Sequence, residues 1–391
     1  MALIRPEDEL ILCCARVRED PERAAQIRVL LQGGMDWAYV LRAARGHGMA
    51  PLLFWHLNAT RPEAVPTAVL DLLRSDFYAN NLRNLLLTGE LLRLLNVFEG
   101  RGIPAIPYKG PVLAAVAYGN LALRQFIDLD ILVHKQDVSR ARELLISLGY
   151  RPDHQLTRGQ EAALFRTERQ YVFTHEDKGS KVELHWAIMP RFLSVSLDPE
   201  RLWKRLERVS LGGDSVPTLS AEDLLLILCV HGSVHLWERL GWVCDVAELV
   251  SARKGMNWAQ AAEQAAAQGS ERMLFLGLFL ANDLLGAALP EEILQKVKAN
   301  SVVRTLAGQV QERLFLEPGD PPRVFEQTFF YLSMRERLQD KIRYCIRLAT
   351  NINAFDWALV PLPSYLFPLY YVIRPIRLIG KYVRRLLGHA L

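Results

Sequence analysis

The stretch "RQFIDLDILV", Arg124 to Val133, carries two acids inside a run that otherwise has the composition of a core strand. An ionised carboxylate is costly to hold in apolar surroundings without a partner. Residues two apart in a strand share a face and lie roughly 6.6 Å apart along the chain. Asp128 and Asp130 therefore project side by side, with Ile127, Leu129 and Ile131 expected on the opposite face. Like charges so close drive one of the pair toward protonation unless a cation sits between them. A hard divalent ion resolves the conflict. Standing alone, a D-x-D pattern would sooner mark an exposed edge or a turn, so the flanking sequence has to decide.

Upstream, "IPAIPYKG" reads as a short strand running into a turn at Gly110, and "PVLAAVAYG" as a helix with Pro111 at its first position and Gly119 past its end. Downstream, "DVSRARELLISLGY" reads as a helix from about Asp137 to Gly149, and "RQYVFTHEDKGSKVELHW" as a hairpin turning at Asp177 to Ser180. This α/β block, residues 101–218, is flanked by helical regions at 1–100 and 219–350. A long helix, broken at most once, is expected over Thr67 to Gly100, and a capped helix begins at Ser220. The fold class is α+β, a small mixed sheet embedded between helical regions. Residues 351–391 form a Pro-containing basic tail.

Mg²⁺ favours carboxylate and phosphate oxygens, and two such ions about 3.5–4 Å apart clamp both oxygens of an in-line phosphoryl displacement. A pair of ions needs a third acid. Glu183, in "KVELHW", lies on a strand able to pair beside the first, whereas Glu176 and Asp177 belong to the turn. Gly110 sits at a strand-to-helix junction, where free backbone N–H groups favour an anion. Lys109 and Arg124 either contact a triphosphate or pair with the acids. His185 projects on the same side as Glu183 and is a candidate substrate contact.

"YKGPVLAAVAYGNLALRQFIDLDILVHKQDVSRARELLISLGY", followed by "VELHW" and "HGSVHLWERLGWVCDVAEL", resembles the bacterial uncharacterised nucleotidyltransferase family of the DNA polymerase beta-like superfamily. The resemblance implies a mixed sheet, two Mg²⁺ ions held by Asp128, Asp130 and Glu183, and a phosphate turn at Gly110. It also implies transfer of a nucleoside monophosphate from an NTP to an acceptor, with release of pyrophosphate. One position departs from the superfamily pattern. A second small residue usually follows the glycine; here Pro111 stands there and has no N–H to donate.

His231 and His235 lie one helical turn apart in "HGSVHLWERLGW". They fit substrate contact, a structural role or zinc, although H-x-x-x-H lacks the Glu of a zinc-protease motif. The chain of 391 residues has 47 Lys and Arg against 43 Asp and Glu, a net charge of +4, too small to imply a nucleic-acid partner. The expected partners are an NTP and an acceptor of small-molecule, peptide or sugar type. Five scattered cysteines read as buried free thiols of a cytoplasmic protein, and the N-terminus lacks the basic-then-apolar order of a signal peptide. In the tail, Ile376, Ile379, Val383 and Leu386 alternate at helical spacing with Arg377, Lys381, Arg384 and Arg385. That pattern suits peripheral contact with anionic lipid, or docking onto protein.

Overall fold

A computed structural model of the chain describes residues 5–18, 20–60, 62–154, 159–160, 165, 168–189, 199–315, 324–350, 356, 359–360, 362 and 364–387. Strands β1 (Ala105–Pro107), β2 (Asp128–Val133), β3 (Arg151–Pro152), β4 (Gln170–His175) and β5 (Ser180–His185) form one sheet in the order β1-β2-β5-β4-β3. β2 and β5 are parallel and the other pairings antiparallel. The mixed sheet among helices is the expected α+β architecture.

Alternation along β2 divides its side chains between two cores. Leu129, Ile131 and Val133 pack with Phe173, Val182 and Leu184 and with Leu87, Leu91, Leu94 and Phe98 of the helix Thr67–Gly100. Leu132 and Ile106 join the opposite core, built from the N-terminal helices and from those that follow residue 219. The acidic positions of β2 share this second face. Ile127 departs from expectation: it precedes the strand and is 57% exposed.

The helix Thr67–Gly100 is continuous over 34 residues and spans both cores, with Leu70 and Leu73 in one and its C-terminal half in the other. The helical regions that precede and follow the sheet in sequence are not separate bodies. Arg16 donates to Glu248 at 2.5 Å and to the Leu285 carbonyl at 2.7 Å, and Cys244 donates to the Ala15 carbonyl at 3.3 Å. A Cβ on Gly241 would lie 2.9 Å from the His47 carbonyl, so only glycine allows the two layers so close.

A second sheet, β6 (Glu207–Leu211) with β7 (Asp214–Thr218), is a hairpin turned by Gly212 and Gly213, both at positive φ. Gly-Gly between two stretches in which Val209, Leu211 and Val216 alternate with polar residues is a hairpin signal that the sequence reading passed over. The stretch after Ser220 folds as two helices, Ala221–Val234 and Leu240–Ala252. Cys13, Cys14, Cys229 and Cys244 are buried free thiols as expected, whereas Cys345 is exposed.

Candidate active site

The parallel register of β2 and β5 sets Asp128 against Lys181, Asp130 against Glu183 and Leu132 against His185. All six therefore present to one face of the sheet. Asp130 and His185 are buried and Glu183 is half-buried. His185 Nε2 lies 3.1 Å from Asp130 Oδ1 and 3.5 Å from Glu183 Oε2. One ligand atom from each of Asp130, Glu183 and His185 falls within 4.8 Å of the others. Asp128 stands outside this tight cluster, one strand repeat away. His185 is thus closer to the acids than a substrate contact requires.

Lys109 supplies positive charge. Its Nζ lies 3.0 Å from Asp130 Oδ1, with the lysine side chain 15% exposed. Burial raises the Asp130 carboxyl, but Lys109 and His185 outweigh it and hold this acid below the usual carboxylate range. Asp128 goes the other way, pushed up to about 6 by burial and by the charge of Asp130. Burial also raises Glu183, yet its bond with His185 leaves it below its ordinary value, and Gln170 donates to it at 2.7 Å. Asp128, Asp130 and Glu183 thus gather three carboxylates around Lys109 and His185, a set that could hold a cation. Oxygen donors from adjacent strands suit Mg²⁺; the imidazole in the cluster also suits softer divalent ions.

The turn after β1 fits closely under the acids. Gly110 has φ +53°, and a Cβ there would lie 3.1 Å from the Asp128 carbonyl oxygen, so both conformation and space require glycine. Backbone donors for an anion are few in its first turn. Pro111 has none, and the Val112 N–H turns back to the Lys109 carbonyl at 3.2 Å.

Arg124 is placed differently from either expectation. Its guanidinium grips Asp245 of the helix Leu240–Ala252, with Nε at 2.7 Å and Nη2 at 2.9 Å, and leans on the Gly110 carbonyl at 3.4 Å. Burial opposes its charge, but Asp245 more than compensates and raises its pKa. Tyr118 donates to the same Asp245 at 2.8 Å. From the long helix, Asn84 donates to the carbonyls of Leu121 and Arg124 at 2.6 and 2.8 Å, and Asn80 to that of Ala122 at 3.0 Å. Sequence reasoning missed this clamp. Its signal was a pair of asparagines four apart, Asn80 and Asn84, on the buried face of the long helix.

His231 lines a cavity of about 20 Å³ with Tyr108, Lys109, Arg169 and His185, room for a single water. His231 and His235 pack together at 4.6 Å between ring centroids, and both rings rest on Trp242. Burial, then the positive charge of Lys109, keeps the His231 imidazole well below its ordinary pKa. Among the described residues, these two histidines enter no group of three metal-ligating side chains. His231 thus borders the candidate site from the helical layer, and His235 is exposed beside it.

Residues 33–286 match the family described as "Uncharacterised nucleotidyltransferase", a span well over half of the chain that contains every residue of the site above. No curated protein matches the chain.

Proposed function

This chain belongs to the uncharacterised nucleotidyltransferase family, and we propose that it transfers a nucleoside monophosphate from an NTP to a hydroxyl or phosphate of a small molecule, peptide or sugar. The observation that carries the reading is the convergence of Asp130, Glu183 and His185 beside Asp128 on one face of the sheet. Mg²⁺, when bound, would supply charge neutralisation for the phosphates and lower the pKa of the acceptor hydroxyl.

The chain's own residues have definable roles. Asp130 and Glu183 would hold the metal at the β2–β5 junction, with Asp128 extending the site to a second ion. His185 orients both acids through its hydrogen bonds. Lys109 holds the charge of Asp130 in the metal-free protein and would turn to the triphosphate on loading. Arg124, held by Asp245, positions the Gly110 turn rather than contacting phosphate.

A second reading, a nucleotide-binding or scaffold protein that transfers nothing, is favoured by Pro111 and by the inward Val112 N–H, which thin the donors available to a triphosphate. Each NTP is incubated with Mg²⁺ and a pool of hydroxyl and phosphate acceptors while pyrophosphate is measured. The enzyme reading expects release that disappears in Asp128→Asn and in Asp130→Asn. NTP binding with no pyrophosphate from any pool would support the scaffold instead.

A further inference from the structure

Two helices near the C-terminus expose large apolar side chains among their described residues. In Leu338–Thr350, Asp340 and Tyr344 are buried, while Leu338, Ile342 and Ile346, spaced four apart, are each more than half exposed. In Tyr370–Leu387, Tyr370 and Arg374 face inward; Val372 and Ile376, on the opposite side, are each more than half exposed. Arg374 and Arg377 both bind Asp356, and Arg374 also donates to the Leu348 carbonyl, which ties the second helix to the first. This is the reverse of the usual amphipathic arrangement, in which the apolar stripe faces the core.

The exposed stripe is continuous with more apolar surface. Phe329, Leu332, Ile342, Cys345 and Ile346 line an open trough of about 500 Å³, with Lys341 at its edge. Exposed Arg343 flanks Ile342. Charge is concentrated in the same part of the chain. Residues 324–391 hold ten Lys and Arg against four Asp and Glu, a net +6, whereas residues 1–323 hold 37 against 39, a net −2; Arg335 and Arg374 are buried, while Arg337 and Arg343 are exposed and Lys341 is half-buried. Among the described residues, no helix is long and apolar enough to cross a membrane.

We infer that this face seats the protein on an anionic lipid surface, with the Leu338–Ile346 and Val372–Ile376 stripes entering the headgroup boundary and Lys341 and Arg343 beside Ile342 attracting the lipid charge. Apolar side chains flanked by cations are what an interfacial helix needs. A second copy of the chain fits less well, because a two-fold contact would set one segment of net +6 against another. Nucleic acid would call for cations outward, where this face has isoleucines and leucines.

The full chain is floated through a density gradient with vesicles of phosphatidylcholine alone, or of phosphatidylcholine and phosphatidylglycerol in equal parts. The protein rises with the mixed vesicles, stays down with the neutral ones, and is released by high salt. Ile342→Asp with Ile376→Asp lowers the floated fraction at least about tenfold, while Leu86→Asp, at an exposed apolar position on the helix Thr67–Gly100 and outside both stripes, leaves it unchanged. Melting temperature is followed for each variant, and Leu338→Asp with Val372→Asp repeats the test if the first pair does not fold. No flotation on mixed vesicles, or undiminished flotation of folded variants, overturns the inference. So does self-association in sedimentation velocity that Ile342→Asp abolishes without any vesicle binding. These readouts are independent of pyrophosphate release.

Discussion

Arg124 and Asp245, 121 residues apart in sequence, are joined by a two-pronged ion pair at 2.7 and 2.9 Å that ties the helical layer to the entry of the acidic strand. The side chains are 12% and 5% exposed, so neither charge has much water to fall back on. Removing one partner of a buried pair costs about 3–5 kcal/mol. Asp245→Ala should therefore lower the unfolding free energy by about 3 kcal/mol in urea titration. Arg124→Lys, which keeps the charge but loses the fork, should lie between that variant and the wild type. A loss of under about 1 kcal/mol for Asp245→Ala would place this pair among the weak surface bridges.

The two acids of β2 should respond oppositely to neutralisation. Burial and the neighbouring Asp130 push the Asp128 carboxyl up to about 6, so its charge burdens the metal-free fold. Asp128→Asn is expected to stabilise the metal-free protein at pH 8 by about 1–2 kcal/mol. Asp130→Asn leaves Lys109 without its carboxylate and should destabilise by about 1–3 kcal/mol. Calorimetry with and without Mg²⁺ separates site from scaffold: the metal raises the wild-type melting temperature and leaves both variants unmoved.

Gly110→Ala tests the fit of the turn beneath the acids. A left-handed alanine costs about 1–2 kcal/mol, and its Cβ must also find room 3.1 Å from the Asp128 carbonyl. The variant should melt lower than wild type and bind Mg²⁺ more weakly, because the Asp128 backbone has to shift. Unchanged affinity would show that the turn and the metal ligands are uncoupled.

His47 introduces an acid sensitivity outside the acidic cluster. Burial, then Arg239, lowers its imidazole to about 4, and its Nδ1 accepts the Leu240 N–H at 3.3 Å. Because the folded-state value is depressed, the stabilisation is complete above the ordinary histidine range near pH 6.5 and is lost as pH falls toward 4. His47→Gln should flatten the dependence of melting temperature on pH between about 6.5 and 4. An unchanged slope would assign the sensitivity to other groups.

Much of the framework was legible because its signals are local. Gly and Pro punctuation marked β1 and its turn, two-residue alternation marked β2, and the hairpin turn expected at Asp177 to Ser180 falls one residue earlier, at Glu176 to Gly179, between β4 and β5. The choice of Glu183 over Glu176 followed from strand against turn; in the structure Glu176 pairs with Arg151 at the surface. What stayed hidden had a partner distant in sequence or a signal too short to stand out. Ile127 looked like part of the strand because nothing local says where the ladder begins.

The amino-acid sequence by itself determined that Asp128 and Asp130 share one face of a strand, because side-chain alternation is a property of the extended backbone. It also placed Gly110 at a strand-to-helix junction followed by Pro111, which has no N–H; that the turn needs glycine came from its positive φ and its approach to the Asp128 carbonyl. Only the tertiary structure decided that Glu183 stands in register with Asp130 and that His185 joins them, since pairing register depends on how two strands dock. Tertiary structure likewise assigned Arg124 to Asp245 and Lys109 to Asp130. Long charged side chains take whichever opposite charge the packed fold brings within reach, and no local pattern encodes that choice.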